Sequence, residues 1–159
     1  MDNIFWKRER IEIMTALALF NYVFLGAEYL FDNMMAFHTD SGGVVLAQSY
    51  VLGVSTVGFL LFGVLDGKLR ERAKRAGSVG AGVLAAVCLW GIQVHQSYGS
   101  TLAAGLILYV MLGIAGSLVH YRAACRYGME EHLAETVGVS YALGLFLQFL
   151  ENNLIHNTA

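Results

Sequence analysis

Two carboxylates, Glu28 and Asp32, stand one helical turn apart in the stretch "GAEYLFDN" (26–33), with apolar residues on both sides. Side chains at this spacing share a helix face, and at about 100° per residue Asn21 falls within roughly 40° of both. The three make a polar stripe on an otherwise apolar segment. An ionised carboxylate facing lipid costs several kcal/mol, so such groups turn to a protein interior, a partner or water. No Lys or Arg falls inside the apolar segments to pair with them. Two chemistries stay open: the carboxyls are protonated, or they face a hydrated cavity that admits cations or protons. Glu28 is the first candidate for proton or substrate interaction. Asp32, nearer the end of its segment, reads equally well as the edge of a hydrated vestibule.

Other polar residues could complete such a cavity. Gln48 and Ser55 are seven apart and share a face, with Thr56 alongside; Ser140, Tyr141, Gln148 and Glu151 cover about a third of a helical wheel. The competing reading is interhelical hydrogen bonding, worth about 0.6–2 kcal/mol per contact. Small residues four apart, Gly113 with Ser117, Gly138 with Ala142 and Ser140 with Gly144, read as packing seams. In "EEHLAE" (130–135), His132 and Glu135 resemble half a metal site, but no second half exists, and the stretch reads as the acidic start of a helix. No segment carries a nucleophile–base pair or an HExxH pattern, so neither an enzyme nor a cofactor is expected.

The elements that must position these residues follow from composition. The 159 residues are 57% hydrophobic and only 14% charged, with a mean hydropathy of +0.56. That is too apolar for an ordinary soluble domain. A membrane-crossing helix needs about 20 apolar residues, and five such segments are expected, at 13–36, 44–65, 78–96, 101–121 and 133–151. The expected fold is all-α, a polytopic membrane bundle of five transmembrane helices forming one domain over 1–159. The third segment, without charge from Val79 to Ile92, is expected to face lipid over much of its surface. Cys88 falls inside it and Cys125 after the fourth, which argues against a disulfide.

All ten Lys and Arg residues lie in three places: before the first segment, between the second and third, and between the fourth and fifth. Cationic flanks are retained on the cytoplasmic side. The N-terminus is therefore expected inside and the C-terminus extracellular or periplasmic, in a multi-pass protein of the cell membrane. The basic stretch "DGKLRERAKR" (66–75) reads as a contact for anionic lipid headgroups, not for nucleic acid.

This arrangement resembles the N-terminal half of a major facilitator superfamily transporter. The loop between helices two and three of that family carries G-x-x-x-D-R-x-G-R-R; here "GVLDGKLRERAKRAG" (63–77) supplies Gly63, Asp66, Arg70 and a basic run. The aspartate stands one position early and the inner glycine is missing. "GIAGSLVHYRAACRYGMEEHLAETVGVSYALG" (113–144) resembles the family's passage from helix four to helix five. The resemblance implies that helices one, two, four and five line a central cavity, with helix three peripheral. It implies a substrate or proton site drawn from Asn21, Glu28, Asp32, Gln48, Ser140 and Gln148, and a gating loop at Gly63, Asp66 and Arg70. The expected function is movement of a small solute, coupled to protons. Because the family has six helices in each half, the resemblance also implies a fragment: the sixth helix is lacking, and a C-terminal half or a second polypeptide would have to complete it. The alternative is a sensory or scaffold module that binds a ligand without moving it.

Overall fold

The computed structural model describes residues 8–68, 71–94, 97–127 and 133–155. All the regular elements among them are helices: α1 (Arg8–Ala36), α2 (Ser41–Asp66), α3 (Glu71–Gln93), α4 (Tyr98–Tyr127) and α5 (Leu133–Leu150), which continues into a π-helical turn, Glu151–Ile155. The ends follow local chemistry. Asp40 caps α2, its Oδ1 accepting from the Gly43 amide at 2.8 Å. Ser97 does the same for α4, accepting from the Ser100 amide at 3.2 Å. The last turn of α5 is held by Asn153, whose Nδ2 donates to the Phe149 carbonyl at 2.8 Å.

Stretches of α1, α2, α4 and the α5 segment are long and apolar enough to cross a membrane: Arg10–Ala36, Ser41–Leu65, Tyr98–Cys125 and Leu133–Leu154. Of the third expected segment, 78–96, α3 covers the part up to Gln93; Val94 lies in a turn, and 95–96 fall outside the described residues. Helices also run past the expected apolar limits. α1 begins five residues earlier than 13, where Arg8 and Glu12, one turn apart, pair at 3.1 Å. Cys125 lies within α4, not after it; it is exposed, Cys88 is buried, and both are free thiols.

The chain divides into two compact units, Ala27–Ser117 and the pair of segments Met1–Gly26 and Leu118–Ala159. In the first unit the core is one face of each helix: Ala27, Phe31 and Met35 of α1, Ala47 and Val51 of α2, Cys88 and Ile92 of α3, and Leu108, Tyr109 and Leu112 of α4. Between helices in lipid there is little hydrophobic driving force, so close van der Waals fit must hold them. Glycine supplies it where α2 crosses α4. A β-carbon on Gly58 would collide with the Val110 carbonyl oxygen, and one on Gly113 with that of Ser55. α3 turns Val79, Val83, Val87 and Trp90 outward, an exposed apolar stripe suited to lipid, as its uncharged sequence implies.

In the second unit α1 and α5 run parallel. Arg10 meets Glu135, Asn21 meets Gly144 and Gly26 meets Gln148, so the numbers rise together on both helices. At Gly144 the backbones approach so closely that a β-carbon would stand 2.7 Å from Asn21 Cβ and 2.9 Å from the Ala18 carbonyl oxygen. Ser140 and Gly144 thus form a real packing seam. Gly138 and Ala142 do not: both are exposed, and Gly138 has nothing within 4 Å of its missing side chain.

Candidate functional site

The carboxylates of α1 that belong to the first unit are positioned by a short hairpin. From Ala36 back to Glu28, and from Ser41 on to Gln48, the helices run about 11–12 Å each at 1.5 Å per residue. The two side chains are therefore level across the α1–α2 hairpin. Gln48 Nε2 donates to Glu28 Oε1 at 2.6 Å. Asp32, one turn further along α1, interacts electrostatically with Glu28. Its Oδ1 is buried and, among the described residues, accepts no hydrogen bond. Tyr109 of α4 lies within electrostatic reach of both carboxylates, and its ring packs edge-on against Phe31 with centroids 6.3 Å apart.

Among the described residues neither Glu28 nor Asp32 forms an ion pair; the pairs present are Arg8–Glu12 and Arg10–Glu135. One amide donor offsets part of one carboxylate. The pair thus holds two half-buried carboxylates, one amide donor and, among the described residues, no fixed cation. The chemistry available is acceptor chemistry, four carboxylate oxygens with an amide and a phenol beside them.

The remaining expected cavity residues, Asn21, Ser140 and Gln148, lie in the second unit. Asn21 is 7% exposed and packs against Gly144. Gln148 Nε2 donates weakly to Asn152 Oδ1 at 3.4 Å. Ser140 is buried, but its hydroxyl donates to the Thr136 carbonyl at 2.6 Å, so it is engaged by its own helix. Ser55 behaves likewise, donating to the Leu52 carbonyl at 2.7 Å. Of the expected gating loop, Gly63 stands exposed on α2 with nothing within 4 Å of its missing side chain, Asp66 is the last residue of α2, and Arg70 lies outside the described residues. His132 lies outside them as well; among those described, no three His, Cys, Asp or Glu residues converge as a metal site would require.

The chain matches no family model, no curated protein and no solved structure. Three contacts in the second unit add Arg10, Glu135, His120 and Tyr22 to Tyr141 and Glu151, which the polar face of the fifth segment already offered. Arg10, whose position suggested a cytoplasmic flank, is 2% exposed, and its Nη2 holds Glu135 Oε2 at 3.0 Å. The His120 ring nitrogen lies 3.1 Å from the Tyr141 hydroxyl, with Phe20 edge-on to the imidazole. Tyr22 lies within electrostatic reach of the Glu151 carboxylate. Only the first had a signal in the sequence: a cation before the first apolar segment and a carboxylate before the fifth lie on the same side of the membrane if the charge rule holds.

Proposed function

We propose that this chain is a membrane-embedded, transporter-like helix bundle whose Glu28–Asp32 pair takes up a proton, or a small solute that delivers one. The carrying observation is the unbalanced charge of that pair: Gln48 serves Glu28, nothing among the described residues serves Asp32 Oδ1, and neither carboxylate has a fixed cation. Intramembrane carboxyls of this kind mark proton and ion pathways.

The parallel run of α1 and α5 supports five crossings in place of four. Two helices that cross in the same direction need an odd number of crossings between them, so α3 must cross together with α2 and α4. α3 itself, 23 residues or about 34 Å long, reaches across a hydrocarbon core of about 30 Å. With the basic segments on the cytoplasmic side, the N-terminus lies inside the cell membrane and the C-terminus outside. In this reading the helices resemble the N-terminal half of a facilitator-type fold, and the chain works with lipid and a small solute in place of nucleic acid or a metal cofactor.

The test is infrared difference spectroscopy on the protein in lipid nanodiscs as pH is changed. A protonated-carboxyl signal should titrate in the natural protein, lose its main component in Asp32→Asn, where the carboxyl oxygen without a donor is removed, and shift in Glu28→Gln. A titration identical in all three proteins removes Glu28 from the mechanism.

A further inference from the structure

His120 is the histidine that α4 carries inside its apolar stretch, Tyr98–Cys125, and Tyr141 stands inside that of α5, Leu133–Leu154. Ionisable side chains are rare within membrane-crossing segments, and where they occur they face a partner or a cavity. Here the two meet: His120 Nε2 lies 3.1 Å from the Tyr141 hydroxyl. Phe20 of α1 holds the imidazole on another side, edge-on with centroids 6.0 Å apart, and Phe20 is backed by Phe24 at 5.9 Å. Three helices of the second unit thus converge on one titratable ring.

A contact between an imidazole nitrogen and a phenol can run in either direction, and the surroundings choose. Tyr141 is 41% exposed on a helix apolar enough to cross lipid, where a hydroxyl hydrogen turned outward finds no acceptor. An orphaned donor is tolerated less readily than an under-used acceptor, so with a neutral ring Tyr141 donates and Nε2 accepts. When a proton from water binds Nε2, that nitrogen becomes a donor, and the Tyr141 oxygen can accept from it by rotation about its own C–O bond. A backbone carbonyl in the same place could serve the charged ring only. A hydroxyl serves both states, and the exposed side of Tyr141 gives its hydrogen room to turn.

We infer that His120 is a proton-binding residue of the second unit and that Tyr141 is its reversible partner, donating to Nε2 of the neutral ring and accepting from the charged one. From α1 the ring meets Phe20, which does not titrate; from α5 it meets Tyr141; next to it on α4 stand Tyr121 and Arg122, both exposed. Imidazole is the side chain whose charge ordinarily changes between about pH 5 and 8, so the bond reverses on mild acidification. The Glu28–Asp32 pair belongs to the other unit, and either inference can fail without the other.

The experiment is nitrogen-15 NMR of the histidine-labelled protein in lipid nanodiscs, with infrared difference spectra of the tyrosine C–O band, followed from about pH 8 to about pH 5. At the alkaline end the His120 signal, identified by its loss in His120→Gln, should show an unprotonated Nε2. On acidification Nε2 should gain a proton, and a tyrosine band should shift from donor to acceptor character with the same midpoint. That band shift should be lost in Tyr141→Phe, which keeps the ring, and in His120→Gln, whose amide does not titrate; it should persist in Tyr121→Phe. Because the direction of the bond is read on the natural protein, the result does not hang on the folding of any variant. An Nε2 that already carries the proton at about pH 8 overturns the inference, as does a ring still neutral at about pH 5 or a tyrosine band that stays fixed while the ring titrates.

Discussion

The Arg10–Glu135 pair and the Glu28–Asp32 pair show two ways of keeping charge within this protein. Arg10 is almost wholly buried and its charge is matched by a carboxylate at 3.0 Å. Glu28 and Asp32 have two negative groups, one amide donor at 2.6 Å and, among the described residues, no cation. The first arrangement is closed: cation and carboxylate match, and the pair ties the start of α1 to the start of α5. The second is open: among the described residues no fixed cation balances it. Charge complementarity thus separates a structural contact from a candidate site more sharply than burial does.

The comparison depends first on the seam that brings Arg10 to Glu135. Gly144→Leu would force a branched side chain against Asn21 and the α1 backbone, and should cost about 3 kcal/mol, read as a lower midpoint in unfolding by sodium dodecyl sulfate from mixed micelles. Arg10→Ala should cost about 2 kcal/mol by the same measurement; this is below the range for fully buried pairs because the Glu135 side chain is 40% exposed and water can recover it. Equal stability of Arg10→Ala and the natural protein would erase the distinction between closed and open charge.

Within the open pair the two carboxylates should respond with opposite sign. Glu28→Leu strands the Gln48 amide and should destabilise by about 1–2 kcal/mol. Asp32→Leu removes a buried oxygen that has no partner and should stabilise by about 1 kcal/mol. Destabilisation by both would mean that Asp32 has a structural partner after all. The smallest effect belongs to the exposed pair at the start of α1: Arg8→Ala should leave the unfolding midpoint unchanged, since its side chain is 93% exposed and water already screens it.

Much of this was legible from local periodicity. The face shared by Asn21, Glu28 and Asp32 follows from the helical repeat, and the outward stripe of α3 follows from an uncharged segment with no polar seam. Even the level placement of Gln48 beside Glu28 could have been counted from the short link around Asp40. Other features depended on distant parts of the chain. Ser140 and Gln148 looked equivalent on the wheel, yet the first bonds its own helix and the second faces Gly26. Gly138 and Gly144 both fit a small-residue motif, but only Gly144 has a helix against it. Tyr109 gave no signal, since an aromatic in an apolar helix usually reports packing.

The sequence by itself determined the solvent, the helices and the faces on which charge had to lie, because hydropathy and a fixed helical repeat act over a few turns and need no partner. Only the tertiary structure decided which polar groups meet: Arg10 with Glu135, Tyr22 with Glu151, Glu28 with Gln48. Those pairings depend on where glycines let backbones approach, and that is a property of two helices together which neither segment carries alone.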